Sequence, residues 1–153
     1  MNVFSFQTMK LMTTLGEGGM ITTDDDRVAE RLRAMRQWGE GEHWGSSYKI
    51  TKVQAAVGLV QLQRLDEMIT QRVNLAHERT ELLRDLDALT LPFEPSDCQH
   101  PFYLYTRLVP PEWAGPKRDR LIKILGSDHG VGCVIANRPV YLDHTYIRQH
   151  TAG

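Results

Sequence analysis

A chain of 153 residues, 41% hydrophobic and 24% charged, has an ordinary globular composition and enough apolar material for one sizeable core or two small ones. Its formal charge of −1 leaves no electrostatic footprint for nucleic acid or for an anionic membrane, so a small molecule or a protein is the favoured partner. No apolar run nears the ~20 residues of a membrane span, and the first residues lack a charged start followed by an unbroken apolar segment, so the default compartment is the cytoplasm.

Asn2–Gln7 and Gly19–Thr23 alternate apolar and polar side chains, which predicts two short strands joined by the segment around Lys10. Lys10 is flanked by apolar Met9, Leu11 and Met12 and by neutral Thr13 and Thr14. An amine held there would lose water, which favours its neutral, nucleophilic form and suits imine chemistry. Ser5 can offer a hydroxyl to a phosphate oxygen, and Gly16, Gly18 and Gly19 let the backbone turn and approach a ligand. Taken alone, a lysine before a glycine turn reads first as a solvated surface residue.

Asp24 to Asp26 supply a cap and first-turn negative charge for a helix over Arg27–Gln37, with Val28, Leu32 and Met35 on one face. Gly39–Ser47 is a polar, glycine-rich loop. Thr51 caps a helical pattern whose stripe Val53, Val57, Val60, Leu65, Met68, Ile69, Val73 and Ala76 reads as core and continues through Leu83, Leu86 and Leu89. One unbroken helix over that range would be about 58 Å long, so two helices, or one bent near Leu65 to Met68, are expected.

The proline-rich 90–101 stretch is a connector, 102–109 is the best strand pattern in the chain, and 110–116 is a turn. A helix over Lys117–Leu125 follows, with Leu121, Ile124 and Leu125 inward, broken by the stretch Gly126 to Gly132. A second strand is expected over Val131–Ala136, giving a small α+β or βαβ unit. Cys98 and Cys133 lack any CxxC spacing and read as reduced thiols, and the histidines show no metal-ligand spacing.

Ser5-Phe6, Lys10, Thr13-Thr14 and Gly16-Glu17-Gly18-Gly19, followed by Met20 to Asp26, resemble the active-site segment of the DegT/DnrJ/EryC1/StrS family of pyridoxal-phosphate-dependent sugar aminotransferases. Gln54 to Gly58, with Gln61-Leu62 and Arg64-Leu65-Asp66, is similar to the Gln-Ala-Ala-(Ile/Val)-Gly signature of that family and the segment after it. Leu15 is one residue more than the usual spacing. The resemblance implies an α/β fold, part of a fold type I transferase: the end of the large-domain sheet, long connecting helices and a small α+β C-terminal domain. Residues 1–68 would belong to the cofactor domain and 69–153 to the connecting helix and small domain.

The same resemblance implies that Lys10 forms the internal aldimine with pyridoxal 5′-phosphate and that Ser5 contacts the cofactor phosphate. Ser47-Tyr48-Lys49 stands where the family has an Asn-Tyr-Arg-like triplet, so Ser47 and Lys49 would reach the phosphate held by the other subunit of a homodimer. Pro139-Val140-Tyr141, near His144 and Tyr146, stands where a Pro-Leu-His is usual. The implied reaction moves an amino group from an amino acid such as glutamate to a keto-sugar, commonly nucleotide-linked, or to a keto-cyclitol. A related dehydratase branch replaces the lysine, so Lys10 argues against it.

In the family a long stretch precedes the lysine and carries the aspartate for the pyridinium nitrogen. The chain is therefore expected to be the middle-to-late part of a larger enzyme, silent by itself, with its two strands uncovered. A reading of another class is a non-catalytic helical interaction or dimerisation module, in which residues 51–90 pair with a partner helix and Lys10 is incidental.

Overall fold

The computed structural model describes residues 1–136 and Gln149. The expectations for Pro139, Val140, Tyr141, His144 and Tyr146 lie outside the described residues. The chain forms two compact units, one made of Met1–His77 with Gln99–Tyr103 and the other of Glu78–Cys98 with the chain from Leu104 on.

In the first unit, β1 (Asn2–Ser5) and β2 (Gly19–Thr22) form an antiparallel pair in the register Asn2 to Thr22 through Ser5 to Gly19. They occupy the stretches where alternation predicted them. Both strands are exposed along their whole length. An isolated two-stranded ribbon is marginal in water, so this one depends on what holds its connecting turn.

Helix α1 (Asp26–Arg36) starts at an Asp25 cap, whose Oδ1 accepts from the backbone N–H groups of Arg27 at 2.9 Å and Val28 at 3.2 Å. Its Val28, Leu32 and Met35 face is half-buried as the spacing predicts, and Ala34 is buried. Helix α2 (Lys52–Gln63) begins with a full capping box: the Thr51 side chain accepts from the Gln54 N–H, and the Gln54 side chain accepts from the Thr51 N–H. Arg64, at φ −98° and ψ −4°, closes α2, and α3 (Leu65–Leu83) follows directly. The break expected near Leu65 thus falls at Arg64, but α3 stops at Leu83, leaving Leu86 and Leu89 in successive turns instead of helix.

The long apolar stripe is covered along α3 and, on α2, only at Val57. On α3, Ala76 is buried and Leu65, Met68, Ile69 and Val73 are half-buried. On α2, Val53 stays 66% exposed and Val60 54%. The covered face of α2 is a different one, Gln54, Val57, Gly58 and Gln61, spaced at three and four residues. This corrects the reading of Val53 and Val60 as core: apolar periodicity gives a stripe but not the neighbour that covers it.

Residues 102–109 form no strand. Phe102 has φ +46°, outside the extended range, and the one ladder-like contact is a bridge between Thr90 and Leu108 with both hydrogen bonds at 3.0 Å. The Phe102 and Tyr103 carbonyls accept instead from the Arg72 side chain, at 3.4 and 3.1 Å. Residues 131–136 are irregular as well, so the expected strand–helix–strand unit is absent from the described residues.

Helix α4 (Pro116–His129) runs through Gly126 rather than ending before it. One glycine inside a helix costs about 1 kcal/mol, too little to stop it. The stop comes at Gly130, in the left-handed region at φ +66°, after which the Val131 N–H reaches back to the Leu125 carbonyl at 2.8 Å. Leu121 and Leu125 are half-buried, whereas Ile124 is exposed and not inward as expected.

Candidate active site

The turn between β1 and β2 is closed from inside. The Phe6 N–H donates to the Gly18 carbonyl and the Thr8 N–H to the Gly16 carbonyl, each at 2.8 Å, which extends the ribbon beyond its strands. Thr14 folds back into the turn, its N–H donating to the Phe6 carbonyl at 3.1 Å and its hydroxyl to the Glu17 carbonyl at 3.3 Å. Thr14 is the most deeply buried polar residue described, at 1% exposure. Glycine suits position 18, because a Cβ would lie 2.3 Å from the Thr14 Oγ1 and force that side chain to shift. The extra residue Leu15 is accommodated by bulging outward, with φ +61° and 64% exposure.

Helix α2 supplies the outer clamp. The amide nitrogen of Gln54, the same residue that completes the capping box, donates to the Glu17 carbonyl at 3.0 Å. One turn on, a Cβ at Gly58 would stand 3.1 Å from the Thr14 Cγ2 and 3.7 Å from the Met12 Cε, so the helix backbone lies against the turn. Gln54 and Gly58 therefore do one job together. The first ties the glycine end of the turn, and the second makes room for the threonine that fills it.

Lys10 leaves this turn half-buried, its own N–H donating to the Gln7 carbonyl at 2.8 Å. Its ammonium donates to the Tyr103 hydroxyl at 3.0 Å and lies 4.4 Å from the centre of the Tyr103 ring. Sequence reasoning missed Tyr103, since 93 residues separate the two and Tyr103 fell within an expected strand. Ser5 ends β1, with its Oγ accepting weakly from the Gln7 N–H at 3.4 Å, which leaves its hydroxyl proton free to donate outward. The Thr13 Oγ1, in the same turn, is buried without a hydrogen-bond partner among the described residues.

Ser47 and Lys49 are held elsewhere. Ser47 bridges to Gln37 at the end of α1, and the Lys49 ammonium donates to the Gln37 side-chain oxygen. Both are exposed, beside Trp44 and Tyr48, whose rings meet at 6.5 Å. Among the described residues, no hydrogen bond joins either to Lys10 or Ser5.

The DegT/DnrJ/EryC1/StrS aminotransferase family model matches residues 1–153. The chain belongs to that family. A spore coat polysaccharide biosynthesis protein, SpsC of Bacillus subtilis, is 31% identical over 95% of this chain and 42% of its own length. GDP-perosamine synthase of Caulobacter vibrioides is 37% identical over 90% of this chain and 38% of its own. Among solved structures, DesV of S. venezuelae, in complex with a ketimine intermediate, matches with a TM-score of 0.83 and 28% identity over 97% of this chain and 39% of that one. The aminotransferase TlmJ of Streptoalloteichus hindustanus matches at 0.80 and 29% over 94% and 40%. The chain thus spans about two-fifths of the length of these DegT/DnrJ/EryC1/StrS relatives. The family is one of pyridoxal-phosphate-dependent aminotransferases, and the fold is part of fold type I.

The residues present fit part of what such a cofactor needs. Lys10 offers an amine on a braced turn, and Ser5 an exposed hydroxyl for a phosphate oxygen.

Proposed function

We propose that this region is the lysine-bearing part of a cytoplasmic, homodimeric aminotransferase that moves an amino group from an amino acid such as glutamate to a keto-sugar, nucleotide-linked in the commonest case. The observation that supports it most is the clamp: the family's Gln-Ala-Ala-x-Gly motif, Gln54 to Gly58, fixes the turn that carries Lys10. Pyridoxal phosphate, when bound, supplies the electron sink that amino transfer needs. Lys10 would hold it covalently and, once freed, take up and return a proton at its Nζ. Ser5 would donate to its phosphate. Ser47 and Lys49, exposed on the α1 side of the fold, would serve the site of a second copy. The uncovered Val53, Leu59 and Val60 on α2 support a covering partner, which we read as that copy. The sugar-processing names of the relatives support a sugar as the acceptor.

The test is borohydride reduction of the full-length enzyme equilibrated with pyridoxal phosphate, followed by peptide mapping. The pyridoxyl group is expected on Lys10. Its appearance on Lys49 would overturn the assignment, and a protein that leaves the cofactor's absorbance unchanged would favour the helical interaction module instead.

A further inference from the structure

We infer that Tyr103 is a positioning residue for Lys10, resting on the reading of Lys10 as the cofactor-holding amine. The chain makes a deliberate return to bring it there. Phe102, the preceding residue, sits at φ +46°, a conformation that a bulky residue keeps only when its surroundings over-determine it. Those surroundings are present. Phe102 is only 6% exposed, its ring packs edge-on against His77 at 5.9 Å and against His100 at 4.5 Å, and its N–H donates to the His100 Nδ1 at 2.9 Å. Arg72 of α3 then takes both the Phe102 and Tyr103 carbonyls. With the backbone pinned on both sides, the Tyr103 side chain is delivered to the Lys10 Nζ.

The two contacts act in the same direction. A phenol oxygen that accepts from the amine and a ring face beneath it together fix its direction. The hydroxyl can also donate to the amine when that is neutral, so it remains a partner through a protonation cycle. Tyr103 would thus hold the Lys10 amine at one place whenever it is not covalently engaged, leaving it aimed for the next turnover. Tyr103 itself is 43% exposed, so it is not spent on packing.

Trace labelling with acetic anhydride, read by peptide mass spectrometry, tests this with Lys52 as an internal reference. Tyr103→Phe keeps the ring and removes the hydroxyl, and Tyr103→Leu removes both. Relative to Lys52, Lys10 labelling is expected to rise about threefold in the first and roughly tenfold in the second, since an amine that loses such partners is freer to react. A tyrosine that served only the fold would leave the Phe variant at the wild-type ratio. That result, with an unchanged circular dichroism spectrum, would overturn the proposal. If the Leu variant does not fold, the Phe variant decides alone. Pyridoxyl mapping of the wild type separates the two ideas: loss of the adduct from Lys10 refutes the cofactor reading, whereas the labelling ratios test the contact with Tyr103 without any cofactor.

Discussion

The lysine turn and the glycine loop at 37–49 are both short, glycine-punctuated connections, and both carry residues that family resemblance marks as functional, yet they are built in opposite ways. The lysine turn is closed around a buried side chain, Thr14, and clamped from outside by Gln54, so Lys10 is positioned by contacts far away in sequence. The glycine loop is closed mainly on backbone, with one exposed side-chain bond, Lys49 to Gln37, across its ends. The Ser46 N–H donates to the Met35 carbonyl at 2.9 Å, the Trp38 N–H to the Ser46 carbonyl at 3.4 Å, and Gly39 is buried at φ +79° beside Gly45. Its Ser47, Tyr48 and Lys49 all stay exposed. A side chain fixed by its own chain suits the reacting group. Side chains presented on a rigid but unfilled loop suit a contact that something else completes.

The sharpest way to break this contrast is at the reacting group. In the full-length enzyme, Lys10→Met keeps the length and apolar stem and removes the amine, so amino transfer should fall by on the order of 10²–10⁴-fold, with the borohydride-trapped adduct lost. Circular dichroism should be unchanged, because among the described residues the only side-chain partner lost is Tyr103. An active variant would leave Lys10 a bystander.

Next come the two closures. A Cβ at Gly45 would lie 2.4 Å from the Gly39 nitrogen and 2.5 Å from the Met35 carbonyl oxygen, and neither backbone atom can swing aside. Gly45→Ala should cost about 3 kcal/mol in unfolding free energy by urea titration, at the upper end of overpacking effects. Gly18→Ala meets the end of a side chain, the Thr14 hydroxyl, so a smaller loss of about 1–2 kcal/mol is expected. If Gly18→Ala proved the worse of the two, the idea that one loop is closed on side chain and the other on backbone would be wrong.

Much of this architecture was legible before any coordinates. Alternation at 2–7 and 19–23, the Asp25 and Thr51 caps and the break at Arg64 are local properties, set by neighbours within a few residues. The same local reasoning failed at 102–109, where a strand-like pattern found no adjacent strand and its carbonyls went to Arg72 instead. It failed at Gly126, whose helix penalty the rest of α4 absorbs. At the site, Lys10 and Ser5 stood out because resemblance marked them. Tyr103 did not, since no local pattern encodes a contact made across 93 residues by a backbone turned at Phe102.

Ser47→Ala combined with Lys49→Ala tests the other half of the contrast. If the loop completes a second copy's site, the double variant should bind pyridoxal phosphate about tenfold more weakly, the loss of one charge-assisted contact, while its melting temperature stays close to wild type. The stability expectation follows from exposure: among the described residues Lys49 holds only Gln37, itself exposed. Unchanged affinity would remove the cross-subunit role.

The smallest effect expected runs in the stabilising direction. Leu15 is the residue by which this turn exceeds the usual family spacing, and it is held at φ +61° with its side chain 64% exposed. A left-handed conformation costs a residue with a Cβ roughly 1–2 kcal/mol, and Leu15 recovers little of that by packing. Glycine adopts the same angles without the clash but gives up more freedom on folding, which offsets part of the gain. Leu15→Gly should therefore raise stability by about 0.5–1 kcal/mol, read as a higher urea midpoint at unchanged slope. Lys10 labelling should stay at the wild-type ratio, because the hydrogen bonds that close the turn run through Phe6, Thr8, Thr14, Gly16, Glu17 and Gly18, none of them through Leu15. A destabilised variant, or one in which Lys10 becomes more reactive, would show that the bulge at Leu15 is part of what shapes the lysine turn and not a spare residue pushed out of it.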